Sequence, residues 1–429
     1  MLKTSAAPAR DLAGRRLRVV LVGDYPCGED TIQGGIQSVT HNLAQALARR
    51  DDIECHLVAA MHGAAADYHR TGNLHVHFVS RLPLPRLLTC KMRDVPSLVR
   101  VIRGIKPDVV HGQGQDRHGL AALRAGFPNV ITTHGVTFVE SRLLKRHRLD
   151  LIGAMKARML VGWEREVFAH AKEMIMISRY LPNIYGPMLR ARTTFIDNPI
   201  DPAFFSLARS PVPGRLLFVG SVVPRKCVHD LVRALFHVRQ RVIQSADSAQ
   251  GWKSGLHLRI AGPLLHSSAE ALLRRTISEL DLDQHVTLLG SVTEAELMDE
   301  YSRAQVLMVS SREETSPQVI AQAMACGLPA IASAVGGIPA MINDGVSGLL
   351  FPFGDTEQCA NQILRLLQDE ALLDSISRYV RVEALQRFHA DSVAEQTVNV
   401  YRRAIFESTR AQEPTACLGG RTASLRRTE

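Results

Sequence analysis

Leu17–Asp24 reads LRVVLVGD and Arg215–Gly220 reads RLLFVG. Both are short, β-branched or leucine-rich runs that end on glycine, the pattern of a strand buried on both faces of a parallel sheet. A helix-like pattern follows the first from Gln37 to Ala48, and strand-like runs recur at His56–Ala60, His75–Val79, Asp108–His111, Val130–Thr133 and Met174–Ser178. The second run is followed by Leu256–Gly262, Val286–Gly290, Val306–Ser310 and Pro329–Ser333. Alternation of this kind predicts an α/β chain with doubly wound, mostly parallel sheets. Between the two series lies DNPIDPAFF (197–205), whose Pro199 and Pro202 oppose a helix and suit a linker. The expected organisation is two Rossmann-like domains, 17–197 and 198–391, facing each other across a cleft. A helix over 392–410 is expected to pack back on the first domain, and 1–16 and 411–429 read as flexible tails.

Composition narrows the partners. The 429 residues are 46% apolar and 22% charged, which excludes intrinsic disorder, and 5% aromatic, which leaves little to stack single-stranded nucleic acid. No run of 18 apolar residues is present, and no cleavable leader is expected. The seven cysteines form no CxxC pair and no Cys/His grouping at zinc spacing, so a reducing cytosol is expected and structural zinc is not. Neither series opens with GxGxxG or GxxxxGK[ST], against nicotinamide and P-loop chemistry.

The most informative chemistry lies in SSREETSPQVIAQAMACGLP (310–329). Ser316 reads as a helix N-cap, Pro317 as the first helical residue and Gly327 as the C-terminal stop. A helix starting just past a strand end offers free N–H groups and a dipole to an anion such as phosphate. Glu314 and Gln322 bracket that start and could grip opposite ends of an elongated polar ligand.

Here the chain resembles the fourth family of retaining glycosyltransferases, of GT-B fold. That family has two glutamates with seven residues between them, the second followed by Ala-Met-Ala-x-Gly-x-Pro. Glu314 occupies the first position and AMACGLP (323–329) matches the run, while Gln322 replaces the second glutamate. The resemblance implies that Glu314 lies against the donor sugar and Gln322 at the ribose hydroxyls. In GSVVPRKC (220–227), Gly220 and Lys226 match the loop whose lysine neutralises the leaving diphosphate; Ser221 and Cys227 depart from the usual Arg and Gly, with Arg225 as the candidate replacement cation. Gly34 and Gly35 (QGGIQ) resemble the glycine pair that approaches the donor diphosphate, and His134 (TTHG) the histidine that meets the transferred sugar. Ala340 departs from a frequent glutamate. His111 and His118 read as structural, and Asp281 and Asp283 as a solvated turn rather than a metal-binding DxD.

The resemblance implies transfer of a hexose-type sugar from a nucleotide-diphosphate sugar to a glycan or lipid-linked acceptor, in bacterial polysaccharide assembly, without metal or other cofactor. Rival readings are a non-catalytic GT-B protein that binds a glycan or partner, and a GT-B epimerase or phosphorylase; nucleic acid is not expected. The net charge of +9 resolves into +6 over 81–106 and +5 over 142–172, both in the first domain. With RLPLPRLL (81–88), these segments point to a cytoplasmic protein that could sit peripherally on an anionic inner membrane face. The stripe Ile152, Met155, Met159, Trp163 and Val167 reads first as core.

Overall fold

The computed structural model describes residues 15–26, 34–62, 67–81, 94–136, 151–244 and 251–410. Residues 1–14 and 411–429 of the expected tails, most of RLPLPRLL, and Cys27, Cys90 and Cys417 lie outside them, while Arg15, expected in the first tail, is held to Asp108 at 2.5 Å by an ion pair; Cys55, Cys227, Cys326 and Cys359 are buried free thiols.

The first sheet contains β1 (Leu17–Val22), β2 (Ile53–His62), β3 (Asp67–Thr71), β4 (Leu74–Arg81), β5 (Val109–Gln113), β6 (Asn129–Thr133), β7 (Glu173–Met176) and β8 (Arg192–Phe195). Their order is β3-β4-β2-β1-β5-β6-β7-β8, parallel throughout except for the β3–β4 hairpin. The second sheet contains β9 (Arg215–Val219), β10 (His257–Ala261), β11 (Val286–Gly290), β12 (Val306–Val309), β13 (Ala330–Ser333) and β14 (Leu349–Phe351), ordered β11-β10-β9-β12-β13-β14 and wholly parallel. The strand runs are apolar because both faces are covered. In β1, Val19 and Leu21 pack on α1 (Gly35–Ala48), while Val20 and Val22 face the core formed with α2 (Asp94–Ile105), α3 (Arg117–Ala125) and α4 (Leu151–His170). The second sheet is covered in the same way by α5 (Val228–Gln244), α6 (Ser267–Glu279), α7 (Glu294–Arg303), α8 (Gln318–Cys326), α9 (Thr356–Gln368) and α10 (Glu370–Arg387).

Each sheet reverses its winding beside its first strand, between β1 and β5 and between β9 and β12. Open α/β sheets bind ligands outside the carboxyl ends of strands at such switch points. The chain crosses between domains twice, and the two crossings run side by side: Ile200 N–H donates to Phe388 O at 2.9 Å, and Arg387 pairs with Asp197 at 3.0 Å. Beyond the second crossing, α11 (Ala390–Arg410) returns to the first domain and buries Val393, Val398 and Tyr401 with Leu43 and Leu47 of α1. Tyr401 Oη meets His111 Nδ1 at 2.7 Å, and Thr132 Oγ1 meets the other ring nitrogen at 2.7 Å, which accounts for His111 as a structural residue. In the α4 stripe Trp163 and Val167 are core, Met159 packs against it and Met155 is exposed; the Ile152 side chain lies outside the described residues.

Candidate active site

The carboxyl ends of β9 and β12 meet at a cluster of charge. After β9 the chain turns at Gly220, whose N–H donates to Ala261 O, and enters a short 3-10 turn, Pro224–Lys226. That turn is fastened to the end of β12: Arg312 N–H donates to Arg225 O at 2.8 Å, and Ser310 Oγ donates to Lys226 O at 2.9 Å. Cys227 closes it at φ 46°, a left-handed conformation that costs a side-chain-bearing residue about 1–2 kcal/mol and explains the glycine expected there.

This fastening aims two cations at one carboxylate. Lys226 Nζ lies 2.6 Å and Arg225 Nη1 3.1 Å from Glu314 Oε1, and Ser311 Oγ donates to the same oxygen at 2.7 Å. Arg225 also donates to Glu313 O at 2.8 Å, which fixes its fork, so it does supply a second cation beside Lys226. Glu314 is buried, and burial alone would push its carboxyl up. Lys226, Arg225 and the two hydrogen bonds outweigh burial and hold it below the ordinary carboxylate value, so it is an anion at neutral pH. Its backbone is pressed by Gly336 and Gly337: Gly337 N–H donates to Glu314 O at 2.8 Å, and a Cβ on Gly337 would stand 1.9 Å from Thr315 O and 2.4 Å from Ser178 Oγ of the first domain.

The helix after this loop starts later than the sequence predicts. Pro317, extended at ψ 118°, is the N-cap, and α8 begins at Gln318. Ser316 is therefore not the N-cap; its hydroxyl instead points to Met341 Sδ at 3.8 Å, because the extended proline separates it from the first helical N–H groups. No side chain caps α8. Gln322 is one face further along, and its Oε1 accepts from the buried Tyr301 hydroxyl at 2.9 Å, leaving its NH2 as the group free to donate.

Across the cleft Gly34, at φ 88°, is the N-cap of α1, again without a side-chain cap. A Cβ on Gly35 would stand 3.4 Å from Gln318 Cγ, so the two helix N-termini face one another. Both polar atoms of the Gln318 amide are buried there without a hydrogen-bond partner. Tyr180 Oη donates to Glu313 Oε1 at 3.0 Å, a second bridge between the domains. His134 lies just past the end of β6. Its Nε2–H donates to Gln113 Oε1 at 2.8 Å, and burial pushes its imidazole down to about 4, so it is neutral at pH 7.

The structure thus brings Gly220, Arg225, Lys226 and Glu314 together and sets Gly34 and Gly35 opposite the start of α8, while Ser316, Gln322 and His134 bond to Met341, Tyr301 and Gln113 rather than to the cation cluster. Ser311, Gln113 and Gln318 were not singled out from sequence. The Ser-Ser doublet at the end of β12 is a local signal for the first, whereas the other two depend on what stands across a strand or the cleft. Asp281 sits in a turn at φ 50°, as its solvated reading requires.

Residues 33–204 match the family model described as Glycosyltransferase Family 4, and 213–369 the one described as Glycosyl transferases group 1. A D-inositol 3-phosphate glycosyltransferase of Kineococcus radiotolerans is 31% identical over 254 residues, covering 53% of this chain and 55% of the relative. The chain spans about half the length of the curated relatives it matches. Among solved structures, a sucrose-phosphate synthase of Thermosynechococcus elongatus aligns with a TM-score of 0.73 at 21% identity, covering 92% of this chain and all of that one. Anabaena HepE, solved with UDP and glucose, aligns at 0.66 and 17% identity over 90% of this chain and all of that one. These likenesses establish the GT-B fold.

Proposed function

Because the chain belongs to the family 4, group 1 glycosyltransferases, we propose that it transfers a hexose-type sugar from a nucleotide-diphosphate sugar to a hydroxyl of a glycan or lipid-linked acceptor, with retention at the anomeric carbon. The observation that carries this reading is the pair of cations, Lys226 and Arg225, held on Glu314 at a switch point and faced by two uncapped helix N-termini. A diphosphate is the anion such a place suits. When the bond from the anomeric carbon to the diphosphate oxygen breaks, the electron pair goes to the diphosphate, and preorganised cations and backbone dipoles stabilise it without reorganisation. The acceptor hydroxyl attacks from the face the nucleotide leaves, and its proton passes to the departing phosphate oxygen. Glu314, tied to both cations, fixes their positions and faces the sugar. His134 is a neutral hydrogen-bonding group on the acceptor side.

The basic segments 81–106 and 142–172 belong to the first domain, which in this reading takes the acceptor while the second takes the donor, so an acceptor presented at an anionic membrane face, in polysaccharide assembly, fits best. No helix among the described residues is long and apolar enough to cross a membrane. The test is a panel of UDP- and GDP-sugars, read by heat of binding and by released nucleoside diphosphate. Saturable binding of at least one donor, and acceptor-dependent release, are expected; binding of none would leave the non-catalytic reading in its place.

A further inference from the structure

The outer part of the first sheet carries a cluster that the cleft does not use. β2 and β4 are parallel neighbours in register, with His56 opposite His75 and Val58 opposite His77. Side chains alternate along a strand, so Glu54 and His56 share one face of β2, with His75 and His77 beside them on β4. One ligand atom from each of Glu54, His56 and His75 lies within 4.8 Å of the others, the one such grouping among the described residues.

The two histidines each have their second ring nitrogen engaged, and the proton shared by Glu54 and His56 leaves when an ion binds between them. His56 Nε2 faces Glu54 Oε1 at 2.9 Å, while its Nδ1 is held by His77 Nε2 at 3.1 Å. His75 Nδ1 is held by the Tyr68 hydroxyl at 2.8 Å, which leaves Nε2 as its ligating nitrogen. Ligating histidines almost always have the second ring nitrogen engaged by such an outer partner, which fixes tautomer and ring orientation. Arg18 Nε, 3.0 Å from the same Glu54 oxygen, orients the carboxylate. Imidazole and carboxylate ligands suit zinc and its neighbours, at about 2.0–2.2 Å from the ion, which places adjacent ligand atoms about 3.3 Å apart. The Glu54–His56 pair is already within a few tenths of that spacing. His75, stacked on His56 with centroids 4.6 Å apart, has to turn its ring out of the stack to complete the set.

We propose that Glu54, His56 and His75 bind a divalent transition-metal ion of the zinc class, with His77 and Tyr68 as outer partners, and that the ion staples β2 to β4 and the hairpin β3–β4. Glu54 and His56 lie in the amino-terminal half of β2, away from the carboxyl ends that build the cleft, so this site is independent of the transferase reading. Cysteine and histidine spacing along the chain gives no sign of it, because the ligands converge from two strands.

The untagged 429-residue chain, stripped with chelator, is titrated with Zn2+ against a chromophoric chelator, and with Co2+ followed by visible absorption. The chain has 17 histidines, so the readout is the difference between variants. One tight equivalent with a four-coordinate Co2+ spectrum is expected in the wild type, lost in His56→Ala and His75→Ala and weakened about 10–100-fold in His77→Ala. Zinc should raise the melting temperature of the wild type and not that of His56→Ala or His75→Ala. Should an alanine variant fail to fold, Glu54→Gln preserves shape, His75→Asn keeps a polar group at the Nδ1 position, and both carry the same test. Equal zinc stoichiometry and affinity in wild type and variants, or no uptake by the wild type, overturns the site.

Discussion

Replacing Lys226 by Met removes one charge while keeping most of the stem. The Lys226 side chain is 14% exposed and that of Glu314 8%, with 2.6 Å between Nζ and Oε1, so this is a buried ion pair. Removing one partner of such a pair costs about 3–5 kcal/mol, because the other charge is left without compensation. Here Arg225 at 3.1 Å and Ser311 at 2.7 Å remain on the same oxygen, which should reduce the loss of stability to about 2–3 kcal/mol. Turnover should fall further than stability suggests. Removing one preorganised donor from a developing negative charge costs about 10²–10³ in kcat. The interaction is made to the leaving group in the transition state, so kcat and kcat/KM should fall together. Urea denaturation measures the first quantity, and nucleotide release with the donor that turns over measures the second. A variant that loses the stability but keeps kcat within about tenfold of wild type would refute the reasoning, leaving Lys226 as a structural partner of Glu314.

Gln322→Glu should tighten donor binding roughly 5–30-fold, as a charge-assisted hydrogen bond to ribose replaces a neutral one and the Tyr301 hydroxyl still has an oxygen to donate to; calorimetry with the active donor checks it. Tyr401→Phe takes from the fully buried His111 Nδ1 its 2.7 Å partner, leaving the Gln113 amide at 3.4 Å, and should cost about 1–3 kcal/mol in denaturant unfolding, with no change in KM for the donor. Stability should fall as pH drops from 7 to 5. Burial holds His111 down to about 3, against 6.5 when unfolded, so in that window the unfolded chain binds a proton the folded chain refuses, worth about 2 kcal/mol at pH 5. A midpoint that is level or rising between pH 7 and 5 contradicts this. Gly337→Ala should lower both stability and turnover, since its Cβ would collide with Thr315 O and Ser178 Oγ and push the Glu314 loop and the first domain apart; unchanged activity would contradict that packing.

What could be read in the sequence was whatever burial writes locally. Strands covered on both faces are continuous apolar runs, and all eleven of the expected ones are present within a few residues of their ends. The missed strands lack that signal: β3 (DYHRT) is exposed throughout, β8 (RTTF) lies partly open at the sheet edge, and β14 is three residues long. Helix α8 was expected from its glycine stop and proline start, but its first residue was set one too early, because whether a proline opens a helix or caps it depends on ψ, which composition does not fix. At the site, Glu314 and Lys226 were legible as residue types in a known order. That Arg225 turns towards the same carboxylate was not, since its direction is set by Glu313 O and the end of β12, distant in sequence. The histidine cluster was hidden for the same reason.

The central claim is tested most directly by the configuration of the product. With whichever nucleotide sugar releases nucleoside diphosphate in the presence of an acceptor, the anomeric proton of the newly linked sugar is followed by NMR from the first turnovers. The expected product carries the same anomeric configuration as the donor, and Lys226→Met makes it at least about a hundredfold more slowly. An inverted product, or nucleoside diphosphate released with no sugar on any acceptor, would contradict a retaining transfer at the Lys226–Glu314 cluster.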